Sequence, residues 1–277
     1  MVALGDEPRS PVPACATVTW RRGAARAISE CTALVRNLAG ARAGLRILLY
    51  HAVGTSLSTD SYGISISPDL FERHMVALAE IPEIAIVNLR APEPSDSGLE
   101  VAVTFDDGYK DNLYAAAPVL LKHRIPFTVF VTSSFVQRGQ PEYLTESELK
   151  DLAALPGAAV GSHGVTHARL AECDERTLWR ELVESRQYLE GVIGRPITAM
   201  SYPHGSANLR VRDAVKRAGY SLGVCSRFDI NRGDRDPLLL CRTEIVSADS
   251  ERVFLQKLRG AWDWCRWRSR DSASIMN

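Results

Sequence analysis

Two adjacent carboxylates, Asp106 and Asp107, close the apolar run 101–105 in the stretch VAVTFDDGYKDN, and Gly108 follows at once. Such a pair can divide its labour: one carboxylate holds a cation while the other takes a proton. The same residues also suit a solvated turn, with Gly108 relaxing the backbone, so the pair gains meaning only from its company. That company is GSHGVTH, where His163 and His167 stand four residues apart behind another apolar run. This spacing lets two imidazoles face one point, and neutral imidazole nitrogen is a good ligand for zinc and similar ions. Two histidines and one aspartate leave coordination positions open, the pattern of a catalytic rather than a structural metal. Two weaker features are the SYPHG turn at 201–205 and Tyr50-His51 at the end of LRILLYH. A turn of ordinary loop type and a structural histidine are the plain alternatives for these two.

These residues need elements to hold them. Apolar or β-branched runs predict strands over 45–51, 99–105, 126–132, 158–162, 197–202, 220–225 and 238–246. Helices are expected between them. Ser67-Pro68 opens one, Asp111 caps the next, and Thr145 with Glu148 makes a capping box. Asp174 caps a long helix stopped by Gly194 and Pro196, Gly219 ends a helix over 209–218, and Asp249 opens the last. His74 and His123 fall on helices as surface residues. This alternation calls for an α/β fold with parallel strands and crossover helices, and no GxGxxG follows a strand to suggest a Rossmann fold. His51, Asp106, Asp107, His163 and the 202–205 turn all lie at carboxyl ends of expected strands. In a parallel barrel those ends share the face that holds the active site.

Composition sets the outer limits. Lys plus Arg and Asp plus Glu each total 33, so the net charge is zero and a nucleic-acid partner is disfavoured. None of the six cysteines forms a CxxC pair, so a thiolate zinc site or redox motif is not expected. Residues 1–20 lack the continuous apolar core of a secretory leader, and no run has the length of a membrane span. The expectation is therefore a cytoplasmic protein, associated with membranes only through its substrate. Residues 1–44 are expected to form an arm with a helix over 24–38, residues 45–265 the catalytic domain, and 266–277 a polar tail.

TFDDGY, SHGVTH and SYPHG, in this order, resemble the motifs of the polysaccharide deacetylases of carbohydrate esterase family 4, which share the NodB homology domain. The resemblance covers roughly 46–246. It implies a distorted (β/α)7 barrel and a metal-dependent hydrolase that removes N-acetyl groups from amino sugars. By position, Asp106 resembles the catalytic base, and Asp107, His163 and His167 the metal triad. Zinc is expected first, with cobalt, nickel or iron as alternatives. The Tyr109 N–H is the implied oxyanion donor, and Tyr202, Pro203 and His204 line the substrate side. The implied substrate is an N-acetylated sugar or glycan, lipid- or nucleotide-linked forms included. A deformylase or other amide hydrolase on the same fold, or a silent metal- or glycan-binding module, is the alternative.

The departures are informative. Many members carry Ser or Thr after the first metal histidine, where this chain has Gly164. Many have an Arg in the third motif, near the place of Ser201-Tyr202, and a general-acid histidine in a late Leu-x-His. Here Leu240 is followed by Cys241 and Arg242, and no histidine follows Gly205. The poly-N-acetylglucosamine deacetylases resemble this chain in placing a histidine before the DD motif. His51 is therefore expected to be the general acid, and Arg242 to orient Asp106 in place of the missing Arg.

Overall fold

A computed structural model of the chain describes residues 28–30, 32, 43–93 and 98–268. Its first half holds β1 (Gly44–Tyr50), β2 (Ala52–Val53), β3 (Ser65–Ile66), α1 (Pro68–Ala79), β4 (Ile84–Ile86), β5 (Leu99–Phe105), α2 (Ala117–Lys122) and β6 (Phe127–Val131). There follow α3 (Ser133–Gln137), α4 (Glu146–Ala154), β7 (Ala158–Ser162), α5 (Glu175–Ile193), β8 (Ala199–Ser201), α6 (Leu209–Arg217), β9 (Leu222–Val224), β10 (Thr243–Glu244) and α7 (Glu251–Leu258).

The main sheet is parallel throughout, in the order β10-β1-β5-β6-β7-β8-β9, with β4 beside the first half of β5. The ends of this path approach each other where Leu240, just ahead of β10, bridges Val224 of β9. The result is a curled parallel half-barrel with helices outside it, as the expected distorted barrel requires. A parallel sheet covered on both faces needs nearly continuous apolar strands, and β1 and β5 supply them. Leu48, Tyr50, Val101, Val103 and Phe105 pack outward under Phe71 and Leu78 of α1. Leu45, Ile47 and Ala102 turn inward with Phe130, Val224 and Leu240. The carboxyl ends of the strands are then left for polar groups.

Several helix ends follow the sequence. Ser67 caps α1, Thr145 and Glu148 close the capping box of α4, and Asp174 caps α5, which Gly194 ends in a left-handed turn. Two caps do not. Asp111 makes no capping bond to a backbone N–H of its helix, which opens as a π-turn over Asn112–Ala116. Ser250, not Asp249, caps α7; the Asp249 carboxylate accepts from the Val246 N–H at 2.9 Å and from Lys257 Nζ at 2.5 Å. The strand expected over 238–246 shrinks to β10, because Asn231 takes over the backbone of Cys241. Its Oδ1 accepts the Cys241 N–H at 2.7 Å, and its Nδ2 donates to the Cys241 carbonyl at 2.9 Å. His74 is not a surface residue. It is fully buried, stacked on Phe254 with centroids 4.4 Å apart, and its Nε2 lies 3.0 Å from the Asp249 carbonyl. His123 is half-buried. The helix expected over 24–38 and the tail 266–277 lie largely outside the described residues.

Candidate active site

Asp106 leaves the end of β5 with its N–H bonded to the Tyr50 carbonyl of β1 at 3.0 Å. Its side chain is almost wholly buried, and three donors hold it. Arg242 gives Nη1 to Oδ1 at 2.7 Å and Nη2 to Oδ2 at 2.6 Å, while Ser201 Oγ donates to Oδ2 at 3.0 Å. Arg242 Nη2 also reaches Ser201 Oγ at 2.8 Å, so the three side chains form one closed network. Burial alone would push the Asp106 carboxyl up. The Arg242 guanidinium, helped by His163, overrides burial and holds it well below the usual carboxylate range. Arg242 is itself fully buried, between Phe130, whose ring centroid lies 5.7 Å from its Cζ, and the Cys225 carbonyl.

The next residue turns away. Asp107 has φ of 73° and Gly108 of 79°, both left-handed. A Cβ at Gly108 would meet both methyls of Val131 at 3.2 Å, so glycine is required there twice over. This turn aims Asp107 away from Arg242 and toward the histidines. Asp107 Oδ1 lies 3.5 Å from His163 Nε2 and 3.3 Å from His167 Nε2. His163 lies 2.9 Å by its Nδ1 from the Ser201 carbonyl, so in the neutral ring Nδ1 donates and Nε2 keeps its lone pair. Burial, then the neighbouring His163, push the His167 imidazole down to about 4, so it is neutral near pH 7. Asp107 Oδ1 is buried and accepts no hydrogen bond. A carboxylate oxygen and two imidazoles thus converge without a hydrogen bond to that oxygen, and among the described residues these three form the group suited to a metal ion. The donor set fits a divalent cation.

His51 follows β1 directly. Its Nδ1 is buried without a hydrogen-bond partner among the described residues, and its ring lies near enough to Asp106 and His167 to interact with both. The segment that carries it is tied to the DD stretch. Asp111 Oδ2 accepts from the Val53 N–H at 2.8 Å, the Thr55 N–H at 2.9 Å and Thr55 Oγ1 at 2.6 Å. Asn112 Nδ2 donates to the His51 carbonyl at 2.8 Å. TFDDGYKDN therefore carries both carboxylates of the centre and the clamp on the His51 loop.

The other expected residues divide. The Tyr109 N–H finds no acceptor among the described residues, while its ring stacks on Tyr143 with centroids 4.8 Å apart. Tyr202 is fully buried, and its hydroxyl donates to the Leu238 carbonyl at 2.6 Å, so it braces the turn rather than meeting a substrate. Pro203 is buried beside it. His204 is exposed, its ring 4.4 Å from that of His167, and burial with His167 pushes it down to about 4. Ser201, Asp111, Asn112 and Glu181 were not expected here. Glu181 had a visible signal: it falls on the apolar face of α5 with Leu178, Leu182, Ser185 and Leu189.

Comparison with known proteins places the chain beside deacetylases in sequence and fold. The chain matches the polysaccharide deacetylase family over residues 94–223. It is 27% identical over 219 residues to YxkH of Bacillus subtilis (strain 168), whose name places it among polysaccharide deacetylases, covering 76% of this chain and 75% of that one. It is 26% identical over 128 residues to a chitooligosaccharide deacetylase of Rhizobium leguminosarum bv. trifolii, covering 46% and 56%. In fold it resembles the Streptococcus pyogenes deacetylase PplD solved with acetate, at TM-score 0.68 and 23% identity, covering 78% of this chain and 99% of that one. The sequence match over residues 94–223, the curated relatives and the fold together support a polysaccharide deacetylase domain of the NodB homology type, carbohydrate esterase family 4.

Proposed function

We propose that the chain hydrolyses the acetamide of an N-acetylated amino sugar, in a glycan or a glycan precursor, through a divalent-metal centre made of Asp107, His163 and His167. The observation that supports this most is the opposite treatment of two neighbouring carboxylates: Asp106 is saturated by Arg242 and Ser201, whereas Asp107 Oδ1 is left bare between two imidazoles. When bound there, a divalent cation, zinc first, polarises an amide carbonyl and makes water a better nucleophile near neutral pH.

The remaining work falls to the chain's own groups. Asp106 takes the proton of the attacking water. Arg242 makes it a weak base but keeps it ionised and fixes both oxygens, and fixed orientation supplies much of a catalyst's advantage. The Tyr109 N–H, with no acceptor among the described residues, is available to the carbonyl oxygen as charge develops on it. An amide nitrogen leaves only when protonated, and His51 is the donor: it follows β1 at the strand ends, and its buried Nδ1 has no hydrogen-bond partner among the described residues. His204 stands exposed at the edge of the metal group as a substrate contact.

The test is acetate release by zinc-reconstituted protein from N-acetylglucosamine oligomers, lipid-linked N-acetyl sugars and nucleotide-linked ones, with formylated analogues alongside. Release of acetate with an equal amount of free amine supports the proposal. Release of formate alone would move the chain to deformylation, and glycan binding without any acyl release would make it a binding module.

A further inference from the structure

Glu181 is a carboxylate in the wrong company. It lies on the apolar face of α5, almost fully buried, where an ionisable group is expensive unless it is satisfied. Its satisfaction comes wholly from the loop between the two histidines. Oε2 accepts the Val165 N–H at 2.7 Å and the Thr166 N–H at 2.9 Å, and Oε1 accepts Thr166 Oγ1 at 2.6 Å. On its other side the loop is held by the start of α3, where the Ser133 N–H reaches the Gly164 carbonyl at 3.1 Å and the Ser134 N–H the Val165 carbonyl at 3.0 Å. His163 is fixed independently, at the end of β7 and by the Ser201 carbonyl. The backbone of His167 sits at this loop's end with φ of 63°, so the loop sets where its ring meets Asp107 and His163. The same contact accounts for Gly164, whose φ is 77°: a Cβ there would stand 2.9 Å from Glu181 Oε2.

We propose that Glu181 is the positioning residue that sets the metal affinity of the centre, by holding the 164–167 loop so that His167 Nε2 meets Asp107 and His163. The inference rests on the reading of Asp107, His163 and His167 as a metal centre. Glu181 touches no ligand side chain and acts through backbone. Groups that orient metal ligands from behind typically change affinity about 10- to 100-fold when altered.

The test measures zinc affinity of the metal-free protein by competition with a chromogenic chelator, for wild type, Glu181→Gln and Thr166→Val, together with urea unfolding of each without metal. Gln keeps the size but turns donors toward donors; Val removes one bond at an exposed position and leaves the carboxylate in place. Expected are a fall of about 10- to 100-fold in affinity for Glu181→Gln and a smaller fall for Thr166→Val. If Glu181→Gln does not fold without metal, Thr166→Val decides the matter. Variants that lose urea stability yet bind zinc as tightly as wild type would show a purely structural role and overturn the inference. A wild type that binds no divalent ion would overturn the centre itself and Glu181's role with it, and the two failures are distinguished by the wild-type titration.

Discussion

Arg242 holds both oxygens of Asp106, at 2.7 and 2.6 Å, from 136 residues further along the chain. The pair is wholly enclosed, and Ser201 closes the network between its members. A buried bidentate pair of this kind resists loss of either partner, because the survivor stays charged and unpaired. Arg242→Met should lower unfolding stability at pH 7 by about 3–5 kcal/mol. The deficit should shrink on acidification, since Asp106 without its guanidinium can take up a proton while folded. Urea unfolding at several pH values checks this; a deficit that does not shrink would mean that the charge of Asp106 is not what Arg242 balances.

His51 and Asp111 should be separable. His51→Ala removes the proposed proton donor and should cut turnover by about 100- to 10,000-fold with metal content unchanged. Asp111→Ala leaves the ring in place but strips the acceptor from the Val53 and Thr55 N–H groups, so it should lower turnover less. It should also speed hydrogen exchange of those two amides. Kinetics, metal analysis and exchange measured on the same preparations decide it. Wild-type turnover in His51→Ala would remove the residue from the mechanism.

His74 gives the fold an acid limit away from the site. Burial holds its imidazole down to about 4, against 6.5 for a free one. The unfolded chain therefore binds a proton below pH 6.5 that the folded chain refuses until about pH 4, so stability is full above this window and falls as the pH drops through it. Between pH 7.5 and 5 the loss from this one group is about 2 kcal/mol. His74→Gln, which cannot charge, should start less stable at pH 7.5 but lose about 2 kcal/mol less than wild type on going to pH 5. Equal losses in the two proteins would place the acid sensitivity elsewhere.

The residues that were legible from sequence are those whose chemistry is local. Asp106, Asp107, His163 and His167 lie in short motifs at strand ends, and the parallel alternation places those ends on one face. Arg242 could be named but not secured, because its partner is fixed only when the 238–242 segment bridges β9. That segment was expected as strand, since periodicity does not reveal an asparagine that takes over ladder bonds, as Asn231 does. Asp111 has the composition of a helix cap, but three donors from the 53–55 loop outbid its own helix for the carboxylate. Tyr202 sits in a pocket motif, yet its hydroxyl is spent on the Leu238 carbonyl. Strands of two or three residues, as in β2, β3 and β4, carry too few positions for a period to show.

The most direct test of the account is Asp106→Asn beside wild type, with acetate release and bound metal measured on the same samples of zinc-reconstituted protein. The account predicts that the variant keeps its zinc, held by Asp107, His163 and His167, and loses about 100- to 10,000-fold in turnover. Turnover at the wild-type rate in a variant that retains its zinc would contradict it.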